Sequence, residues 1–92
     1  MSSLLVSRNI VVNGRRTSIR LERAAWDALD DICYMENVSL NQLCSLIESR
    51  RSRGSRTSAV RAYIVSYYHQ LALGARQGKA PPPGAERAAV NE

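Results

Sequence analysis

RTSIRLERAAWDALDDICYMENVSLNQLCSLIESR, residues 16–50, changes its hydrophobic period within a few residues. From Arg16 the side chains alternate. Arg16, Ser18 and Arg20 point one way and Thr17, Ile19 and Leu21 the other, which is the period of a half-buried strand. From Arg23 the period lengthens. Trp26, Leu29, Ile32 and Cys33 fall on one helical stripe, with Asp27, Asp30 and Asp31 on the opposite side. Asn37 is a natural stop, because Asn tolerates the left-handed conformation at a helix end. Ser39 then predicts an N-cap, with Gln42 placed to complete a capping box. Leu40, Leu43, Leu46 and Ile47 supply the stripe of a second helix that should end near Arg50–Arg51.

Outward from this stretch, residues 8–22 carry strand signals: Ile10, Val11, Val12 and Ile19 are β-branched. Asn13-Gly14 is a strong hairpin-turn dipeptide and opens a second possibility, in which residues 8–12 fold back onto 16–21. Residues 1–7 read as a flexible leader, too short in apolar length for a signal peptide. On the other side, SRRSRGSRT, residues 49–57, is polar, contains Gly54 and reads as a loop. A third helix follows, capped by Thr57 or Ser58, with Val60, Ile64, Tyr67, Tyr68 and Leu71 at helical spacing and a stop near Gly74. Residues 74–92 are rich in Pro, Gly and Ala and poor in large apolar groups, which predicts disorder. The domain is thus expected over residues 8–73, mainly α with a short N-terminal β ribbon.

A chain of 92 residues fits one domain. A core of this size is marginal alone, and oligomerisation is a usual remedy. A lone strand also leaves its ladder groups without partners. The simplest partner is the same strand of a second copy, which gives a two-fold intermolecular antiparallel sheet. One face of that ribbon would carry Thr17, Ile19 and Leu21 onto the helices. The other would present Arg16, Ser18 and Arg20 from each chain. A two-stranded ribbon fits a major groove about 12 Å wide, where Arg can bridge guanine O6 and N7.

The net charge is +5, which suits an anionic partner. The charge is segregated. Arg8, Arg15, Arg16, Arg20 and Arg23 cluster near the N-terminus, and Arg50, Arg51, Arg53, Arg56 and Arg61 form a second cluster. Asp27, Asp30, Asp31, Glu36 and Glu48 lie between, with no Lys or Arg from 24 to 49. Cys33 and Cys44 have no metal-ligand spacing and read as reduced, buried small hydrophobes. One histidine, His69, no phosphate-cradling Gly loop and no nucleophile motif argue against an enzyme, and no cofactor is expected. No apolar run is long enough for a membrane span of about 18 residues. The expected compartment is the cytoplasm.

In its order of strand, helix, short turn and helix, the segment 16–50 resembles the ribbon-helix-helix family, the group that includes the Arc and methionine repressors. The third helix extends beyond the minimal plan and resembles a longer variety found in short bacterial proteins. The resemblance implies a homodimer, with association into higher oligomers left open, that binds double-stranded DNA as a repressor or antitoxin-like regulator. It implies that Arg16, Ser18 and Arg20 read bases. It implies too that Ser39, Leu40 and Asn41, at the start of the second helix, meet a DNA phosphate. A helix N-terminus has free N–H donors and a positive dipole end, so physics supports that role independently. Arg15 and Arg53 are expected as further phosphate contacts.

Two alternatives stay open. In one, the same dimer is a protein-interaction module without DNA binding. It gains weight if residues 8–12 pair with the ribbon, because a four-stranded dimer sheet would span about 14 Å between its outer strand axes. The other is a helix-turn-helix formed by the second and third helices, against which SRRSRGSRT is long for a turn of about three or four residues.

Overall fold

A computed structural model describes residues 4–76. The chain runs β1 (Leu5–Val12), β2 (Arg15–Glu22), α1 (Arg23–Glu36), α2 (Leu40–Arg50) and α3 (Arg56–Arg76). The mainly helical class with an N-terminal ribbon is as expected, and the fold-back at Asn13-Gly14 is real. β1 and β2 form an antiparallel hairpin within one chain, with Val12 opposite Arg15 and Leu5 opposite Glu22. Asn13 and Gly14 both have positive φ, 52° and 82°, as a two-residue type I′ turn requires. The first strand begins at Leu5, so Leu5–Ser7 pair with β2 instead of leading into it. Those residues lie in the stretch expected to be leader, where a short apolar run carried no turn signal to mark it as a strand.

Alternation sets the inner face of the hairpin. Ile10, Val12, Ile19 and Leu21 are buried and join Trp26, Leu29, Ile32, Leu43, Cys44, Ile47 and Val60 in one core. Trp26 lies in that core, and its Nε1 donates to the carbonyl oxygen of Val6 at 2.8 Å, so the ring packs α1 on the hairpin with its polar atom satisfied. The Arg8 guanidinium lies 4.8 Å from the Trp26 ring and 3.5 Å from the Asp30 carboxylate. Leu46 departs from the expected stripe. It is 39% exposed, because Cys44, not Leu46, turns inward with Leu43 and Ile47.

The helix ends follow their chemistry. Asn37 closes α1 in the left-handed region at φ 58°. Ser39 Oγ accepts from the Gln42 N–H at 3.0 Å while the Gln42 side chain accepts from the Ser39 N–H at 2.8 Å, a complete capping box. The third helix starts earlier than its sequence suggests. Ser55 Oγ accepts from the Ser58 N–H at 3.0 Å, so Ser55 is the cap rather than Thr57 or Ser58. Consequently α2 and α3 are separated only by residues 51–55, a shorter connection than residues 49–57. α3 also continues past Gly74 to Arg76. The remainder of the tail expected to be disordered, residues 77–92, lies outside the described residues.

Buried side chains of α3 are limited to Val60, while Tyr63, Ile64, Tyr67 and Tyr68 pack only partly against the core. Ion pairs add to this packing. Arg61 clamps Glu22 at 2.9 Å, and Arg56 binds Glu48 at 2.9 Å while donating to Thr17 Oγ1 at 3.2 Å. Both cysteines are free thiols. Burial raises the Cys44 thiol to about 11, so it stays protonated and unreactive at neutral pH.

Glu48 joins α2 to the start of α3. Hydrogen bonds from Arg51, then from Arg56, bring its carboxyl down to about 2 from 4.5. A group whose folded value is depressed stabilises the fold above its unfolded value, and that contribution is lost as pH falls through the folded value. Thermal unfolding followed by circular dichroism should therefore show a fall in midpoint between about pH 4.5 and pH 2. Glu48→Gln should start lower at pH 7 and show a shallower acid fall. Parallel acid limbs in the two proteins would remove Glu48 from the account.

Candidate nucleic-acid interface

A two-residue turn makes Val12 and Arg15 a hydrogen-bonded pair, and such pairs alternate along an antiparallel ladder. The N–H and C=O groups of Ser7, Asn9 and Val11 therefore point away from β2, and those of Arg16, Ser18 and Arg20 away from β1. The two edges differ in what meets them. On the β1 side, Asn41 Oδ1 accepts from the Val11 N–H at 2.9 Å and Ser45 Oγ accepts from the Asn13 N–H at 3.1 Å, so α2 covers the turn end of that edge and leaves the outward groups of Ser7 and Asn9 uncovered by described residues. On the β2 side, no described residue hydrogen-bonds the main chain of Arg16, Ser18 or Arg20.

The outer face of the hairpin carries Arg16, Ser18 and Arg20 on β2, opposite Val11, Asn9 and Ser7 on β1. All three of the β2 residues are exposed, and the inward neighbours Ile19 and Leu21 are buried, so the expected split of the strand holds. Ser18 is not free: its Oγ donates to Asn9 Oδ1 at 2.8 Å, which leaves its oxygen as an acceptor. Arg16 and Arg20 have no side-chain partner among the described residues. The arginines thus fall into two groups. Arg8, Arg51, Arg56 and Arg61 hold acids, whereas Arg15, Arg16, Arg20, Arg23, Arg50, Arg53 and Arg76 have no ion pair among the described residues. An unpaired arginine breaks no internal bond on meeting an anion, and its guanidinium is more weakly hydrated than an ammonium.

Ser39, Leu40 and Asn41 lie at the start of α2, beside the turn end of β1. The Ser39 and Gln42 N–H groups are consumed by the capping box and that of Leu43 by the Ser39 carbonyl, which leaves Leu40 and Asn41 with main-chain donors. The Asn41 side chain, by contrast, holds β1, a role that sequence spacing did not reveal because its partner lies 30 positions away. Arg53 sits in the exposed loop between α2 and α3. Arg15 and Arg16 stand at the turn end of β2, where they line a cavity of about 400 Å³ together with Thr17, Glu48 and Arg56.

Among the described residues no three His, Cys, Asp or Glu side chains gather as a metal site. No described helix is long and apolar enough to cross a membrane. A family model described as "Ribbon-helix-helix domain" matches residues 5–68, more than half of the chain. No curated protein and no solved structure matches it.

Proposed function

The chain belongs to the ribbon-helix-helix family, and from that premise we propose that it is a homodimeric regulator of transcription that binds double-stranded DNA in the cytoplasm. Domains of this family generally bind DNA as transcription regulators. The observation that carries the reading is the open edge of β2, whose exposed face bears Arg16, Ser18 and Arg20.

An unpaired strand edge is a template for another strand. Because the outward main-chain groups belong to Arg16, Ser18 and Arg20, two copies can join antiparallel about a two-fold axis at Ser18. That register puts Arg16 opposite Arg20 of the partner subunit and keeps Ile19 and Leu21 on the helical side. Like charges directly opposite each other are unfavourable. A polyanion lying across the face removes the penalty and releases its own counterions. The sheet is then β1-β2-β2-β1, with outer axes about 14 Å apart against a groove of about 12 Å. The central β2 pair enters the groove and reads base edges. The β1 strands lie over its rims, where Ser7 and Asn9 offer small polar side chains. Beyond them, the free N–H groups of Leu40 and Asn41 face the backbone phosphates, with Arg15 and Arg53 as further phosphate contacts.

Selection of bound fragments from the source genome tests this reading. It should enrich short inverted or tandem repeats. The width of the hairpin dimer favours the second reading, a protein-interaction module on the same fold, and a pool without enrichment would support that module instead.

The helix N-terminus has its own test. Proline suits the first helical position, so Leu40→Pro should remove one phosphate-facing N–H with little harm to α2. Affinity should fall about equally on specific and random DNA, as for a positioning contact. Leu40→Ala, measured alongside, reports the loss of Leu40 packing. Equal binding by the two variants would exclude the Leu40 N–H as a phosphate donor.

A further inference from the structure

Asn9 and Ser18 face each other across the hairpin on its outer face, and both are exposed. They are not one of the hydrogen-bonded pairs of the ladder, which fall at Val12–Arg15 and at every second position from it. At such a position the Cα atoms approach to about 4.5 Å and the side chains stand closest. Ser18 Oγ accordingly donates to Asn9 Oδ1 at 2.8 Å. A serine hydroxyl that rotates freely can donate to a base edge or accept from one, so it tells bases apart poorly. Here the proton is committed to Asn9, and Ser18 turns only oxygen lone pairs to a ligand. The Asn9 amide nitrogen has no partner among the described residues, so its two N–H groups stay donors.

In the two-fold register of the regulator reading, on which this inference rests, Ser18 faces Ser18 of the partner subunit. Asn9 and Ser18 of each copy then form the middle row of the four-stranded sheet, with Arg16 and Arg20 on the rows to either side. We propose that Asn9 is a specificity-determining residue that acts through Ser18. By holding the hydroxyl proton it makes Ser18 an acceptor alone, which selects a base amino group, adenine N6 or cytosine N4, at the base pair of each half-site nearest the centre. Guanine O6 or thymine O4 in the same place sets an acceptor against an acceptor. Every base pair shows one amino and one keto group in the major groove, so the choice fixes which strand carries adenine or cytosine there. Asn9 lies on β1, and the strand that widens the ribbon thereby also sets what its centre reads.

The test uses the full chain and a fragment enriched from the source genome, made as four duplexes that carry each base in turn at the central step of both half-sites. The unmutated protein should bind the adenine and cytosine duplexes about five- to tenfold tighter than the guanine and thymine ones, the worth of one neutral hydrogen bond. Asn9→Ala frees the hydroxyl and should bring the four close to equal affinity. Asn9→Asp keeps an acceptor for the Ser18 proton. It should bind all four more weakly, because its charge meets the phosphates, and yet keep the preference. A merely structural role for Asn9 would not separate affinity from preference in this way. Circular dichroism should show all three proteins equally folded, since the Asn9 side chain is exposed. No amino preference in the unmutated protein, a preference unchanged in Asn9→Ala, or its loss in Asn9→Asp would overturn the proposal and leave the regulator reading standing. An unmutated protein that binds none of the four removes that reading and the proposal with it. Water exchange of the Asn9 side-chain amide protons, measured without DNA, checks the polarity separately. Fast exchange is expected, and protection would mean that Asn9 donates to Ser18, which contradicts the proposal.

Discussion

Leu21→Asp should leave the protein unfolded at room temperature. Leu21 is 0% exposed and sits at the centre of the inner face, below the helices. Its cross-strand neighbour is Val6, so the new carboxylate meets no cation across the ladder. An unpaired charge in such a place costs more than about 4 kcal/mol, the range reached only by severe core lesions. A small domain has about 5–15 kcal/mol of stability in total. Leu21→Ala, which leaves only a cavity, should cost about 2–5 kcal/mol and still fold. Ile19→Asp should be milder than Leu21→Asp, because Arg8 faces Ile19 across the ladder and can turn toward the new charge. Helical circular dichroism with a cooperative melt near the wild-type midpoint in Leu21→Asp would show that the inner face has been misplaced.

Arg20→Ala should abolish much of the sequence preference while leaving the fold intact. The side chain is exposed and holds no acid, so its loss breaks no internal bond. It stands near the proposed two-fold, where each subunit contributes one copy. If each copy reads a base edge, the loss should be about 1–3 kcal/mol in each half-site on specific DNA. Preference should relax at one base step per half-site. Random DNA should lose much less, because the condensed counterion term is shared among many charges. Arg53→Ala should behave in the opposite way, weakening all sequences alike. Equal losses on specific and random DNA for Arg20→Ala would remove base readout by that residue.

The sequence was most informative where chemistry is local. Asn37, Ser39 and Gln42 act through main-chain groups within a few residues, so their spacing was enough to place both ends of the turn between α1 and α2. The split of β2 into Arg16, Ser18 and Arg20 against Ile19 and Leu21 followed from a period of two. Asn13-Gly14 marked the turn for the same reason. The start of β1 was not legible, because Leu5 and Val6 pair with residues that lie across the hairpin and are themselves exposed. The cap at Ser55 was masked by a run in which Ser52, Ser55, Thr57 and Ser58 are all good capping residues. Nor could spacing show which arginines are free. Arg61 reaches Glu22 across 39 positions, and Arg56 reaches Thr17 across the same span. Those contacts depend on how α3 crosses the sheet. The division of the basic residues into clamps and free guanidinium groups therefore emerges only in the folded chain.

An anisotropy titration of the intact protein against two duplexes tests DNA binding by the dimer. One is a fragment enriched from the source genome and the other a random sequence of the same length. Both are titrated from about 50 to about 200 mM salt, with the dimer confirmed by sedimentation in the same buffer. Log affinity should fall steeply and linearly with log salt on both duplexes, with a slope near −0.9 for each phosphate neutralised. The enriched fragment should bind at least about a thousandfold tighter than the random one. A folded dimer that binds neither duplex at about 50 mM salt, or that binds both with equal affinity, would rule out sequence-specific DNA binding.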